Sequence, residues 1–284
     1  MKNHSDEVMT VGWLPEEGLT VFVVSWGRPL YLWACLDALY RRTRSKARFV
    51  LLDNAHPDPL VGEVINGFQR RGMFAEVVRF QTNSLANIAD AYRERLEGVG
   101  PLHGYIESDC VIESTAGCWL GKMRSIMERN PQLGVLGSLI DTRDFVSREA
   151  ALRLAGGDAM KAEFLAKLGS PERGFIEDEQ WANTKAEYVV TAPPFPCSNP
   201  PGRLMMLRTE VMKRLGFQLD GRLALHVREM GLQPAITPLV RHRHLSLLNI
   251  YDYFDYDQRG RDEFFAPRPP VPHDSRNDTL RPDG

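Results

Sequence analysis

The chain has 284 residues, 43% hydrophobic and 25% charged, a composition that predicts a soluble globular protein with one large core or two smaller ones. Its 35 Lys and Arg against 37 Asp and Glu give a formal net charge of −2, which argues against a nucleic-acid-binding protein that neutralises phosphates. No apolar run approaches the roughly 20 residues that span a bilayer, and residues 1–7 are unlike a secretion signal, so we expect a cytoplasmic protein with no transmembrane segment.

The first part of the chain alternates apolar runs typical of strands with segments whose apolar residues recur at helical spacing. Strands are predicted at residues 19–25, 49–52, 76–80 and 104–112, and helices at residues 32–43, 61–72 and 85–96. The first run is apolar throughout, as expected of a strand buried on both faces, and Gly27-Arg28-Pro29 breaks it. This alternation predicts an α/β fold with a mostly parallel sheet and helices on both faces.

Beyond residue 113 the pattern is regular, then irregular, then regular again. The predicted elements are a helix capped by Ser114 or Thr115 and ended by Asn130-Pro131, strands at residues 134–140 and 203–207, and helices at residues 210–215 and 222–230. Residues 144–169 are helix-rich and residues 170–201 irregular, which fits either a variable segment over an active site or a plain connector. From Ala266 onward the lost apolar periodicity predicts a flexible tail.

Two acidic residues, Glu107 and Asp109, interrupt the apolar run at residues 104–112. Carboxylates inside such a run must be exposed, paired or bound to a cation. At the end of a strand that opens onto a ligand crevice, the pair would suit Mg²⁺ or Mn²⁺, which prefer oxygen ligands. An ordinary strand-end turn with solvated acids accounts for the pair equally well.

Several short stretches follow one another in a characteristic order along residues 19–246. They are Val-Val-Ser-Trp-Gly-Arg-Pro at 23–29, Leu-Leu-Asp-Asn at 51–54, Asn83 with Asn87, Glu107-Ser108-Asp109, Met-Met-Leu-Arg at 205–208 with Gly216-Phe217 beyond, and Val-Arg-His-Arg-His at 240–244. Together they resemble the family 2 glycosyltransferases, in which Asp-x-Asp stands where this chain has Glu107-Ser108-Asp109. The resemblance implies the nucleotide-diphospho-sugar transferase fold called GT-A, as a single domain.

The resemblance also implies a division of the chain. Residues 1–18 would be an N-terminal extension, 19–143 the nucleotide-sugar-binding half, 144–201 a variable helical and irregular insert over the site, 202–265 the acceptor-binding half and 266–284 a flexible tail.

On the donor side, the resemblance implies that Ser25, Arg28 and Asp53 contact the base or ribose, and that Asn87 lies near the diphosphate. Glu107 would face the ribose or a metal-bound water. A carboxylate that accepts from a base or ribose donor explains an aspartate at the end of a strand, and so does capping of the following turn by Asp53. For Arg28, a local ion pair is an equal alternative to a ligand contact.

For the metal and the base, the resemblance implies that Asp109 coordinates Mn²⁺ or Mg²⁺ and that a late histidine completes the site. His242 and His244 face the same side of a segment predicted to be extended. His244, with Ser246 nearby, is the first choice and His242 the second; a structural or surface histidine is the alternative. Inverting transfer needs a base on the face of the sugar opposite the leaving group, and the matching residue is Asp220. Helix capping is the alternative for Asp220.

The resemblance thus predicts an inverting, metal-dependent glycosyltransferase of hexosyltransferase type, with a UDP-, GDP- or dTDP-sugar donor and a carbohydrate or other hydroxyl acceptor. A non-catalytic nucleotide-sugar-binding homologue and a nucleotidyltransferase of similar fold are the alternatives. The nucleotidyltransferase is disfavoured because residues 26–29 are poor in glycine. A nicotinamide oxidoreductase is disfavoured because no GxGxxG follows a predicted strand.

Overall fold

A computed structural model describes residues 18–56, 58–113, 117–140, 195–196, 203–217 and 220–245, and only the backbone of residues 140, 195–196 and 220–221. The strands are β1 (Leu19–Ser25), β2 (Ala47–Asp53), β3 (Phe74–Arg79), β4 (Leu102–Glu107), β5 (Cys110–Ile112), β6 (Leu133–Ile140), β7 (Phe195–Pro196), β8 (Leu204–Arg208) and β9 (Gln233–His244). The helices are α1 (Pro29–Arg42), α2 (Pro59–Arg70), α3 (Leu85–Leu96), α4 (Trp119–Arg129), α5 (Thr209–Leu215) and α6 (Asp220–Glu229).

All strands join one sheet in the order β3-β2-β1-β4-β8-β6-β9-β5, with β7 paired to β9. The strands β3, β2, β1 and β4 are parallel, as the alternating pattern predicted. Beyond them the sheet is mixed: β8 runs antiparallel to both β4 and β6, β6 and β9 are parallel, and β5 is antiparallel to β9. An antiparallel neighbour leaves no local mark in the sequence, because buried strands of either direction are apolar on both faces.

The strand β1 explains why the sheet carries helices on both faces. Its residues Val21, Phe22 and Val23 are fully buried. Val21 and Val23 belong to the core beneath α1, α2 and α4, whereas Phe22 belongs to the core beneath α3, α5 and α6. Successive strand side chains point to opposite faces, so one apolar run supplies two cores, at about 1.5–3 kcal/mol for each fully buried large side chain.

Several element boundaries differ from the predicted ones. The run at residues 104–112 is two strands, β4 and β5, that separate at Ser108-Asp109 and join different neighbours. The helix α4 begins at Trp119 with Cys118 as its N-cap, so the predicted cap is displaced; Ser114 and Thr115 lie outside the described residues. Residues 1–17, most of the predicted insert at 144–201 and the predicted tail at 266–284 also lie outside them.

Within the described part of the chain, no helix is both long enough and apolar enough to cross a membrane.

Candidate active site

The acid pair lies where the sheet divides. Glu107 is the last residue of β4, and Asp109 precedes β5. The turn between the two strands is fixed by its backbone, because the Ser108 N–H donates to Val24 O at 3.0 Å and the Leu245 N–H donates to Asp109 O at 2.8 Å. The carboxylates therefore sit at the end of β4, beside the carboxyl end of β1, where ligands bind in open α/β sheets.

One oxygen of Asp109 faces both a histidine and an arginine. Asp109 Oδ2 lies 3.7 Å from His244 Nε2 and 3.6 Å from Arg28 Nη1. The antiparallel register of β5 with β9, which pairs Cys110 with His244, places this histidine beside the carboxylate. Burial lowers the pKa of His244 to about 4, against the opposite pull of Asp109, so the imidazole is neutral at neutral pH.

A carboxylate oxygen is a ligand that Mn²⁺ and Mg²⁺ prefer, and a neutral imidazole nitrogen is a common metal ligand in proteins, more suited to Mn²⁺ than to Mg²⁺. Two metal–ligand bonds of about 2.1 Å reach about 4.2 Å, so one cation fits between atoms 3.7 Å apart. Among the described residues, no three His, Cys, Asp or Glu side chains are grouped to hold a metal. The described part of the chain thus offers a pair of ligands, and such ions commonly fill their remaining positions with substrate phosphates and water.

The turn after β1 places Arg28 with a left-handed backbone. Gly27 and Arg28 have φ values of 61° and 53°, and a Cβ on Gly27 would lie 2.4 Å from the His56 ring. A non-glycine residue in this conformation costs about 1–2 kcal/mol, and such residues cluster at functional sites. The Arg28 guanidinium lies 5.9 Å and 5.6 Å from the ring centroids of Trp26 and Tyr31, so aromatic faces flank it beside Asp109.

Glu107 has a partner that the sequence did not suggest. Its carboxylate is ion-paired with the Arg203 guanidinium, and its N–H donates to Arg203 O at 2.8 Å. Burial is the main cause that lowers the pKa values of His242 and His244, and the Arg203 charge lowers both further. Arg203 was missed because it stands at the start of an apolar strand pattern, with no local feature that connects it to an acid 96 residues earlier.

Ser25 and Asp53 lie side by side at the carboxyl ends of β1 and β2, where the strand register pairs them. Ser25 is fully buried and Asp53 is 8% exposed. Ser25 Oγ and Asp53 Oδ1 have no hydrogen-bond partner among the described residues. Burial raises the pKa of Asp53. The charges of Arg79 and His56 and the nearby Ser25 hydroxyl act in the opposite direction and lower this pKa, although the hydroxyl does not meet the geometry of a hydrogen bond. Buried polar atoms that lack partners among the described residues require another one, such as a water, an ion or a ligand.

The next residue, Asn54, connects this edge to the loop before α3. Its side chain donates to Asn83 Oδ1 and accepts from the Ser84 N–H, each at 2.9 Å. Asn87 uses its side-chain amide inside the same loop, donating to Thr82 O at 3.0 Å and Thr82 Oγ1 at 3.2 Å. The amide hydrogens of Asn87 are therefore engaged locally, and its predicted diphosphate contact remains a prediction.

His242 is fully buried, two residues before His244 on the same face of β9, as the alternation of residues 240–244 predicted. The Ser138 hydroxyl donates to Leu204 O at 3.3 Å, so the 2.6 Å contact between Ser138 Oγ and His242 Nδ1 is assigned as donation from the ring. This leaves His242 Nε2 as the nitrogen with the lone pair, without a hydrogen-bond partner among the described residues. Burial lowers the pKa of His242 to about 3.

The candidate base, Asp220, is the first residue of α6. The sequence pattern predicted a helix only from residue 222, so the helix begins two residues earlier than expected. The backbone places Asp220 in the first turn of this helix. Its catalytic role remains a prediction.

No family model matches the chain, and none of the curated proteins matches it in sequence. Solved structures do. A mannosyltransferase from Pyrobaculum calidifontis in complex with GDP-Man and Mn²⁺ superposes with a TM-score of 0.51 at 14% identity, covering 81% of this chain and 57% of that one. GalNAc-T7 with UDP, GalNAc and Mn²⁺ gives a TM-score of 0.53 at 13% identity, covering 88% of this chain and 51% of that one.

The chain thus spans a little over half the length of these two structures. At such low identity the likeness concerns the fold, and it confirms the prediction: the described residues adopt the GT-A fold of nucleotide-sugar glycosyltransferases.

Proposed function

We propose that this chain is an inverting glycosyltransferase that moves a sugar from a nucleoside-diphosphate donor to an acceptor hydroxyl with the help of Mn²⁺ or Mg²⁺. The observation that carries the proposal is the 3.7 Å pair of Asp109 Oδ2 and His244 Nε2 at the carboxyl edge of the sheet. Beside the same edge, Ser25 and Asp53 present buried polar atoms that lack hydrogen-bond partners among the described residues. Cation ligands next to buried polar oxygens suit a nucleotide diphosphate better than an uncharged ligand.

In this proposal the donor lies along the ends of β1, β2 and β4. The Ser25 hydroxyl and the Asp53 carboxylate bind base or ribose groups, which gives partners to two oxygens that have none among the described residues. Asp109 and His244 hold the cation, which when bound neutralises charge on the departing diphosphate. In this proposal Arg28, whose guanidinium lies 3.6 Å from Asp109, binds the diphosphate; the base or ribose contact that the resemblance implied stays a prediction.

We propose for Glu107 a structural role beside the predicted contact with the ribose or a metal-bound water, which stays a prediction. The Glu107 carboxylate is ion-paired with Arg203, so we propose that Glu107 holds the end of β4 in position. A contact of Glu107 with the ribose would form without breaking this ion pair. The acid pair of the sequence then divides into one cation ligand, Asp109, and one residue that positions the turn.

The acceptor hydroxyl loses its proton as the new glycosidic bond forms, and the bond between the sugar and the diphosphate breaks. Asp220 is the proposed base that accepts this proton on the opposite face of the sugar. Its position at the start of α6 places it on a helix that packs into the core through Leu223 and Val227.

A cytoplasmic location stays a prediction from the sequence.

The test is donor binding and hydrolysis over a panel of UDP-, GDP- and dTDP-sugars, each with Mn²⁺ and with a chelator. The proposal expects one donor class to bind with Mn²⁺ and to be turned over, and Asp109→Ala to abolish the Mn²⁺-dependent part of its binding. Arg41→Gln, at an exposed arginine of α1, is the matched control and keeps wild-type binding. Binding without turnover in the presence of diverse acceptors would indicate a nucleotide-sugar-binding protein, and failure to bind any donor would refute the proposal.

A further inference from the structure

The contact between Arg28 and Asp109 raises a question about how a cation enters the site. Arg28 Nη1 lies 3.6 Å from Asp109 Oδ2, the same oxygen that lies 3.7 Å from His244 Nε2. The Asp109 side chain is 11% exposed and the Arg28 side chain 28% exposed, so both charges are partly shielded from water. The oxygen that would bind a cation therefore already has a positively charged neighbour.

A divalent cation bound to Asp109 Oδ2 would lie within about 6 Å of Arg28 Nη1, given a bond of about 2.1 Å. Two positive charges this close repel strongly in a partly buried site. The repulsion is relieved when the guanidinium withdraws or when an anion comes to lie beside both charges. A diphosphate supplies such an anion, and an arginine guanidinium matches phosphate oxygens in charge and in geometry.

We propose that Arg28 and the divalent cation are alternative partners of Asp109, and that cation binding transfers the Arg28 guanidinium to the diphosphate of the donor. The inference rests on the proposed function, because it takes a nucleoside diphosphate as the anion. In the free protein Arg28 holds the carboxylate and weakens cation binding. With the nucleotide present, Arg28 no longer competes, so cation and nucleotide bind cooperatively, each strengthening the other by the same factor.

The surroundings of Arg28 fit such an exchange. The rings of Trp26 and Tyr31, centred 5.9 Å and 5.6 Å from the guanidinium carbon, give the charge a favourable neighbourhood that does not depend on Asp109. The left-handed backbone conformation of Gly27 and Arg28 determines the direction in which the Arg28 side chain leaves the main chain. The side chain can then turn between the carboxylate and the phosphates while the backbone stays in place.

The experiment measures Mn²⁺ binding directly, by electron paramagnetic resonance of the free ion, without any turnover. Mn²⁺ is titrated, first alone and then with UDP or GDP present, into four proteins: wild type, Arg28→Gln, Arg28→Lys and the control Arg41→Gln. The inference expects Arg28→Gln to bind Mn²⁺ alone about tenfold more tightly than wild type, while Arg28→Lys and Arg41→Gln stay close to wild type. It also expects the nucleotide to strengthen Mn²⁺ binding at least about fivefold in wild type and much less in Arg28→Gln.

Arg28→Gly, which suits the left-handed backbone, is a second variant in case Arg28→Gln folds poorly. Unchanged or weaker Mn²⁺ binding in both variants overturns the competition, as does the absence of Mn²⁺ binding in every protein. Tighter Mn²⁺ binding with full nucleotide cooperativity in the variants overturns the transfer of Arg28 to the diphosphate. These results are separable from the proposed function: a wild-type protein that hydrolyses a sugar donor retains that function whatever the Mn²⁺ titrations give.

Discussion

The Glu107 carboxylate is ion-paired with the guanidinium of Arg203, which lies 96 residues further along the chain. The backbones of the two residues are joined as well, since the Glu107 N–H donates to Arg203 O at 2.8 Å. Their side chains are 17% and 33% exposed, so water screens the pair only in part. These contacts hold the end of β4 against Arg203, which immediately precedes β8. The turn that carries Asp109 follows directly after this end of β4.

We expect the Glu107–Arg203 pair to show a coupling of about 1 kcal/mol in a double-mutant cycle of Glu107→Gln, Arg203→Gln and the double variant. Each single variant removes one charge and leaves the other partly buried, so the two losses are not additive. Urea unfolding at neutral pH measures the four free energies of unfolding. Additive losses would mean that the pair contributes nothing and that only the backbone contact holds the turn.

Asp220→Asn is expected to reduce the rate of sugar transfer at least about 100-fold, because asparagine accepts no proton from the acceptor hydroxyl. Donor affinity should change little, since the base acts on the acceptor. The loss of helix-dipole interaction at the start of α6 costs less than about 1 kcal/mol, so the variant stays folded. Steady-state kinetics and donor titration separate the two effects; a variant with wild-type turnover would remove Asp220 from the mechanism.

Asp53→Asn is expected to raise the stability of the fold and to weaken nucleotide binding. Burial raises the pKa of Asp53, so the folded protein holds this proton more tightly than the unfolded chain does. The charge therefore destabilises the fold at neutral pH, and this penalty disappears as the pH falls through the raised pKa. The variant should melt higher than wild type at pH 7, with the difference vanishing as the pH falls below the ordinary aspartate pKa of about 3.9.

The same substitution removes a charged hydrogen-bond acceptor from the proposed nucleoside site, so nucleotide affinity should fall about tenfold or more. Thermal melting with and without UDP or GDP in Mn²⁺ measures both quantities on one sample. A higher melting temperature with full nucleotide affinity would place Asp53 outside the binding site.

His103 is expected to make the fold sensitive to acid. The Thr209 hydroxyl donates to Gly100 O, so His103 Nδ1 is assigned as the donor to Thr209 Oγ1 at 3.0 Å, and Nε2 accepts from the Tyr92 hydroxyl. This arrangement needs a neutral ring, and burial lowers the pKa of His103 to about 3. The unfolded chain binds the proton from about pH 6.5 downward, so stability falls as the pH drops from there towards 3.

At pH 5 this histidine alone should have cost about 2 kcal/mol relative to pH 7.5. His242 and His244, whose pKa values are also lowered by burial, add to the loss in the same direction. His103→Asn should therefore have a shallower pH dependence than wild type, whatever its stability at pH 7.5. Urea unfolding at the two pH values gives both slopes, and equal slopes would show that His103 does not titrate on unfolding.

The sequence by itself determined the features that depend on local periodicity. The apolar run of β1 supplied two cores, the alternation of strands and helices supplied the parallel half of the sheet, and His242 and His244 share a face because strand side chains alternate. It also placed Glu107 and Asp109 at the end of a strand, since acids inside a buried run are too costly to hold without a partner.

Only the tertiary structure decided which charges meet. Arg203 joins Glu107, and Arg28 and His244 share one oxygen of Asp109, through a sheet order that places β8 beside β4 and β9 beside β5. Long-range pairs of this kind depend on chain closure and on packing over the whole sheet, and neither leaves a local pattern in the sequence. The sequence named most of the residues proposed for the site, with the exception of Arg203, whereas the contacts between them required the fold.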